Sequence, residues 1–90
     1  MLTDRPHQCP CCDFFSLAAR FSYEICPVCY WEDDGQDLDR AHEVSGPNHI
    51  TLAQARRNFE NMGASDPSAV RLVVAPEERR GLRRERRTLP

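Results

Sequence analysis

The chain has 90 residues, 40% of them hydrophobic and 29% charged, with a formal net charge of −2. Those values fit one small folded domain and argue against a large multi-domain enzyme, a disordered chain and a fibrous repeat. No apolar run approaches the roughly 20 residues that cross a bilayer, and Met1 to Pro6 lack the apolar core of a signal peptide, so a cytoplasmic location is expected rather than a membrane or a secreted disulfide scaffold.

A chain this short buries only about 60–65% of its unfolded surface, so its apolar core alone is marginal. The cysteines supply the missing constraint. Cys9-Pro10-Cys11-Cys12 and Cys26-Pro27-Val28-Cys29 each contain a C-x2-C pair, with 13 residues between Cys12 and Cys26. Disulfides do not persist in a reducing cytoplasm, whereas two such pairs suit a four-cysteine metal site. Two intervening residues let a tight turn aim both sulfurs at one point, and the proline after each first cysteine pre-sets φ for that turn. Cys9, Cys12, Cys26 and Cys29 are therefore the predicted ligands, and one structural Zn2+ the predicted ion. Iron in a rubredoxin-like cage has the same geometry and stays open as an alternative. A thioredoxin-type redox pair would need a βαβ pattern that the chain does not show. Cys11, inside the first pair, is read as a small hydrophobe packed beside the knuckle. His7, His42 and His49 are not needed for a complete tetrahedron, although His7 lies two residues before Cys9.

Between the knuckles, Phe14-Phe15 and the alternating Phe21, Tyr23 and Ile25 predict two short strands around a loop near residues 18–22, a zinc-ribbon-like hairpin with a knuckle at each base. Residues 32–48 read as a loop, and its acids do not match a calcium-binding EF-hand, so they are expected to be solvated. From Glu32 to Glu43 six acids and one base sum to −5. Trp31 is expected to cover the metal hairpin. Thr51 and Gln54 have capping-box spacing. Leu52, Ala55, Phe59 and Met62 recur at helical intervals, and Gly63 supplies a stop, so the main helix is expected over about 52–62. Asp66-Pro67 opens a short turn, and residues 70–74 read as a short strand. The predicted architecture is small α+β, with a cysteine-rich domain over 1–76 and a flexible arginine-rich tail over 77–90. That tail holds Arg79, Arg80, Arg83, Arg84, Arg86 and Arg87 against Glu85, a sum of +5.

Cys9-Pro10-Cys11-Cys12, Tyr23-Glu24-Ile25-Cys26-Pro27-Val28-Cys29, Trp31-Glu32-Asp33-Asp34-Gly35, Gly46-Pro47-Asn48-His49 and Leu52 to Phe59 together resemble the bacterial cysteine-rich CPCC domain, over roughly residues 7–78. The resemblance implies a small zinc-ribbon-like domain and no chemistry of its own. Knuckles of this kind usually carry glycine after the second cysteine. Here Asp13 and Tyr30 stand there; Asp tolerates a left-handed backbone, and Tyr30 predicts a second turn closed in another way.

A closed four-thiolate shell has no open position for water, so the protein is expected not to be an enzyme. The leading expectation is a binding module with a protein partner, its contact surfaces the loop Asp33 to Asp39 and the face near His49, with an immunity or antitoxin role against a basic target as one form of it. The alternative is nucleic-acid binding through the arginine tail. An acidic body and the lack of a base-reading element weigh against it.

Overall fold

The computed structural model describes residues 2–90. One α-helix, α1 (Leu52–Met62), carries the regular structure, with 3-10 turns at Leu38–Arg40, Pro67–Ala69 and Pro76–Arg79. The helix begins and ends where the sequence predicts. The Thr51 hydroxyl accepts from the Gln54 N–H at 3.0 Å. Gly63 closes the other end at φ 78° and donates to the Phe59 carbonyl. The capping box is only half made, because the Gln54 amide turns to Asn58 instead. Leu52, Ala55 and Phe59 face inward as expected. Met62, in the last turn, is 38% exposed, and Asn58 takes a buried place by donating to the Ser65 carbonyl.

The predicted hairpin between the knuckles does not form, and no strand is present among the described residues. Antiparallel pairing runs across each knuckle instead. His7 pairs with Leu17 around the first, and Ile25 pairs with Glu32 around the second. The reason lies in residues 18–23, which side chains hold in place of a ladder. The Glu24 carboxylate accepts from the N–H groups of Ala18 and Ala19. Phe21 and Tyr23 sit at φ 64° and 60°, where a strand cannot continue. The alternating aromatic residues lie on the outside: Phe21 is 71% exposed and Tyr23 59%.

The strand predicted over 70–74 is also absent. Asp66 caps the Pro67–Ala69 turn, as predicted, and the chain continues in tight bonds from Val70 to the Pro67 carbonyl and from Leu72 to that of Ala69. Val74 then donates to the Pro27 carbonyl, a single link to the second knuckle.

The loop after Trp31 is not a solvated acidic face. Asp33 is fully buried and pairs with Arg20 Nε at 3.0 Å, while Asp37 takes Arg20 Nη1 at 2.8 Å. Asp33 also accepts from the N–H groups of Phe21 and Gly35, and Asp34 accepts from Ser45 Oγ. Short carboxylates thus cap a chain that has no ladder to satisfy its N–H groups. Asn48 does the same work on the other side, accepting from the Glu32 N–H at 2.9 Å and donating to its carbonyl at 2.8 Å. Gly35, at φ 91°, leaves room for Phe21; a Cβ there would stand 2.2 Å from the ring.

Two predictions follow from the loop. Gly35→Ala is expected to lose about 1–3 kcal/mol in chemical denaturation from its left-handed backbone and the ring contact, and adding Phe21→Ala recovers only the contact part. Burial raises the Asp37 carboxyl, but the hydrogen bond from Arg20 and the N–H of Leu38 outweigh it and hold it below its ordinary value. A depressed carboxyl stabilises the fold above its unfolded value and loses that contribution as pH falls through the folded one. The stability gap between the native chain and Asp37→Asn is therefore expected to be full near neutrality and to close below about pH 4, read by denaturation curves at a series of pH values.

Candidate metal centre

Each knuckle closes by the same two backbone bonds. Asp13 N–H donates to the Cys9 carbonyl at 3.0 Å, and Tyr30 N–H to that of Cys26 at 2.8 Å. Cys9 N–H donates to the Phe14 carbonyl at 2.8 Å, and Cys26 N–H to that of Trp31 at 2.9 Å. Both turns need a left-handed residue after the second cysteine. Asp13 supplies it at φ 70° and Tyr30 at φ 71°. The expectation that Tyr30 would close its turn differently is thus corrected: the tyrosine adopts the strained backbone outright, at a cost of about 1–2 kcal/mol.

The two turns bring the sulfurs of Cys9, Cys12, Cys26 and Cys29 within 4.8 Å of one another, all four fully buried. Cys9 and Cys29 sulfurs are 3.6 Å apart, and those of Cys12 and Cys26 3.8 Å. An ion with four metal–sulfur bonds of about 2.3 Å spaces its sulfurs by about 3.8 Å. The cage therefore fits one tetrahedral metal ion. None of the cysteines is joined in a disulfide. The Val28 and Trp31 N–H groups point at the Cys26 and Cys29 sulfurs, 3.4 Å away, and the Ser16 hydroxyl lies 3.0 Å from Cys26. Such donors favour thiolate over thiol. Burial pushes the Cys9, Cys12 and Cys29 thiols up, whereas Cys26 is held well below its usual range, against burial, by hydrogen bonds from the other three and Ser16. Four sulfurs in a dry pocket need a cation to ionise together.

Cys11 is buried within the apolar core but stands outside the four, as the spacing predicts. His7, His42 and His49 are exposed and also outside the cluster. Trp31 is fully buried in the same core cluster as the four cysteines, with its indole N–H unpartnered. Leu17, Val28 and Leu52 complete the surrounding core.

A dense arginine shell surrounds the first knuckle. The Asp13 carboxylate, 3% exposed, accepts two bonds from Arg56 and two from Arg87, all at 2.8–2.9 Å. Arg56 also donates to the Pro10 carbonyl, Arg84 to that of Cys12 and Arg87 to that of Cys9. A divalent ion among four thiolates leaves net negative charge, which these guanidinium groups offset. The sequence predicts a frayed segment from residue 77 onward, but residues 79–87 lie against the knuckle. Phe14 pairs with Arg84, and Phe15 N–H donates to the Arg83 carbonyl. Arg79 and Arg84 stack over the rings of Phe14 and Phe59, and Arg83 over Phe15. A charge run with few apolar residues looks like a loose tail until its partners, distant in sequence, are in place. Leu82 is the tail's one core residue. The acidic and basic runs meet where Arg87 approaches Asp37 at 3.6 Å.

Sequence spacing found the four cysteines. It missed the ion pairs of Arg20 and of Asp13, because long-range charge pairing has no local signature, and it missed Asn48 as a clamp on Glu32.

The family described as Cysteine-rich CPCC matches residues 7–80. The chain belongs to that family. No curated protein and no solved structure matches it. The match ends at residue 80, so the arginines that grip the first knuckle from residue 83 onward lie beyond it. No helix among the described residues is long and apolar enough to cross a membrane.

Removing one partner of a buried pair strands the other charge, at a cost of about 3–5 kcal/mol. Asp13 keeps Arg87 when Arg56 is lost, so Arg56→Met alone is expected to fall short of that range, and the double variant Arg56→Met with Arg87→Met to approach it. Arg87→Met should cost less, because Arg87 is 30% exposed. Denaturation of the metal-loaded protein checks all three, and a small loss in the double variant would show that Asp13 does not depend on its arginines.

Proposed function

We propose that this CPCC protein is a zinc-stabilised, non-enzymatic binding module whose job is contact with another protein. The observation that supports it is the closure of the cage. Four buried thiols use every position of a tetrahedron and leave none for water or substrate. Zinc in such a shell supplies folding energy, about 10–16 kcal/mol in small zinc peptides. A core this small leaves that energy decisive. Iron would fill the same closed cage, so metal content separates the two.

Nucleic-acid binding through the tail is disfavoured. Arg79, Arg83 and Arg84 stack on aromatic rings, and Arg84, Arg86 and Arg87 pair with Glu60 or Asp13. Only Arg80 of the run has no such partner among the described residues.

Protein purified without added metal tests the reading. One zinc per chain, no colour and no RNA or DNA retardation in low salt are expected. One iron with a visible thiolate spectrum would replace the module with an electron carrier. Salt-sensitive retardation that disappears with residues 77–90 would favour the nucleic-acid alternative.

A further inference from the structure

A cleft of about 300 Å3 opens between the second knuckle, the loop at 47–50 and the turn after α1. Its apolar wall comes from Ile25, Tyr30, Pro47 and Ile50, and its lining includes the acidic residues Glu32 and Asp66. Ile25 is 43% exposed and Tyr30 37%, so apolar surface faces water here. No arginine lines the cleft.

That last fact is unusual in this molecule. Asp13, Asp33, Asp37, Glu43, Glu60 and Glu85 each pair with an arginine. Among the described residues, Glu32 and Asp66 join no ion pair, nor do Asp4, Glu24, Asp34, Asp39, Glu77 and Glu78; of these, Glu32 and Asp66 are the two that line this cleft. The Glu32 backbone is occupied by Asn48, which fixes the residue while leaving its carboxylate uncommitted. Asp66 uses one oxygen to cap Ser68 and keeps the other. Two acidic residues without counter-ions therefore line one cleft together with Tyr30.

We propose that this cleft is the protein-docking site and that its occupant is an arginine side chain in a basic stretch of a partner protein. The inference rests on the binding-module reading and names its surface. A guanidinium suits the site better than an ammonium. It is planar, forks toward carboxylates, stacks on an aromatic ring and is weakly hydrated. The apolar wall receives the methylene stem and a neighbouring apolar residue. Phosphate-bearing partners are repelled by the same two carboxylates. The cleft also accounts for His49, whose face was expected to make contact and which lines this pocket at φ 65°.

Isotope-labelled, metal-loaded protein is titrated with a short peptide carrying one arginine between apolar neighbours, and with the same peptide carrying citrulline, which keeps the shape and loses the charge. The arginine peptide is expected to shift the amide signals of Ile25, Tyr30, Ile50 and Ala69 in a saturable way, and the citrulline peptide is not. The pair Glu32→Gln and Asp66→Asn is expected to weaken binding about tenfold, while Glu43→Gln leaves it unchanged. Both cleft variants keep the fold, because the Asn48 bonds are to the Glu32 backbone and asparagine caps as well as aspartate. Equal binding of citrulline, shifts confined to other surfaces or no shift with the arginine peptide would overturn the proposal. So would peptide-free shifts of the same amides that grow with protein concentration, because the occupant would then be a second copy of the chain. Metal content and circular dichroism are read on the same samples. Loss of cleft binding in a folded, metal-bound protein thus counts against this site alone, and a failure of the metal reading shows in those two measurements.

Discussion

Four sulfurs buried within 4.8 Å of one another are the constraint on which the rest of the chain depends. Left as thiols, they would be poor core material. As thiolates without a cation, they would repel across a medium that screens little. A tetrahedral ion resolves the conflict, and the chain is arranged around that resolution. Both knuckles accept a left-handed non-glycine residue to aim their sulfurs. Trp31, Leu17 and Val28 share the buried core with the four sulfurs. Backbone N–H groups and the Ser16 hydroxyl turn toward sulfur.

The second organising element is charge pairing in place of a sheet. Isolated bridges satisfy few backbone groups. Carboxylates and one asparagine take over the remainder, and arginines hold the carboxylates. Arg20 joins Asp33 to Asp37 across the loop, while Asp13 ties α1 and the C-terminal segment to the first knuckle. Asp13 stands where glycine is usual, and it gives the turn both a left-handed backbone and a carboxylate that binds two arginines. Substituting glycine would keep the first property and lose the second. Breaking one member of such a network strands buried charge, so these pairs specify one arrangement of the loops more than they add net stability.

The metal site and α1 were legible because their signals are local. Cysteine spacing, the Thr51 cap and the Gly63 stop act within a few residues of themselves. The hairpin was misread because Phe21, Tyr23 and Ile25 alternate like a strand face, while the bonds that bend their backbone come from Glu24 and Asp33 side chains. The supposed strand over 70–74 had apolar residues but no partner chain beside it. The arginine segment looked unstructured because its contacts are Phe14, Phe59 and Asp13, far away in sequence. That Glu32 and Asp66 line one cleft without an arginine became visible only once the loops were in place.

The measurement that bears most directly on this account is a zinc titration of metal-free protein followed by far-UV circular dichroism. The account predicts a chain without native helix signal that folds as metal is added, with a sharp endpoint at one ion per chain. The endpoint should be lost when Cys9 and Cys29 are replaced by serine and kept when only Cys11 is. A native spectrum before any metal is added, unchanged through the titration, would contradict it.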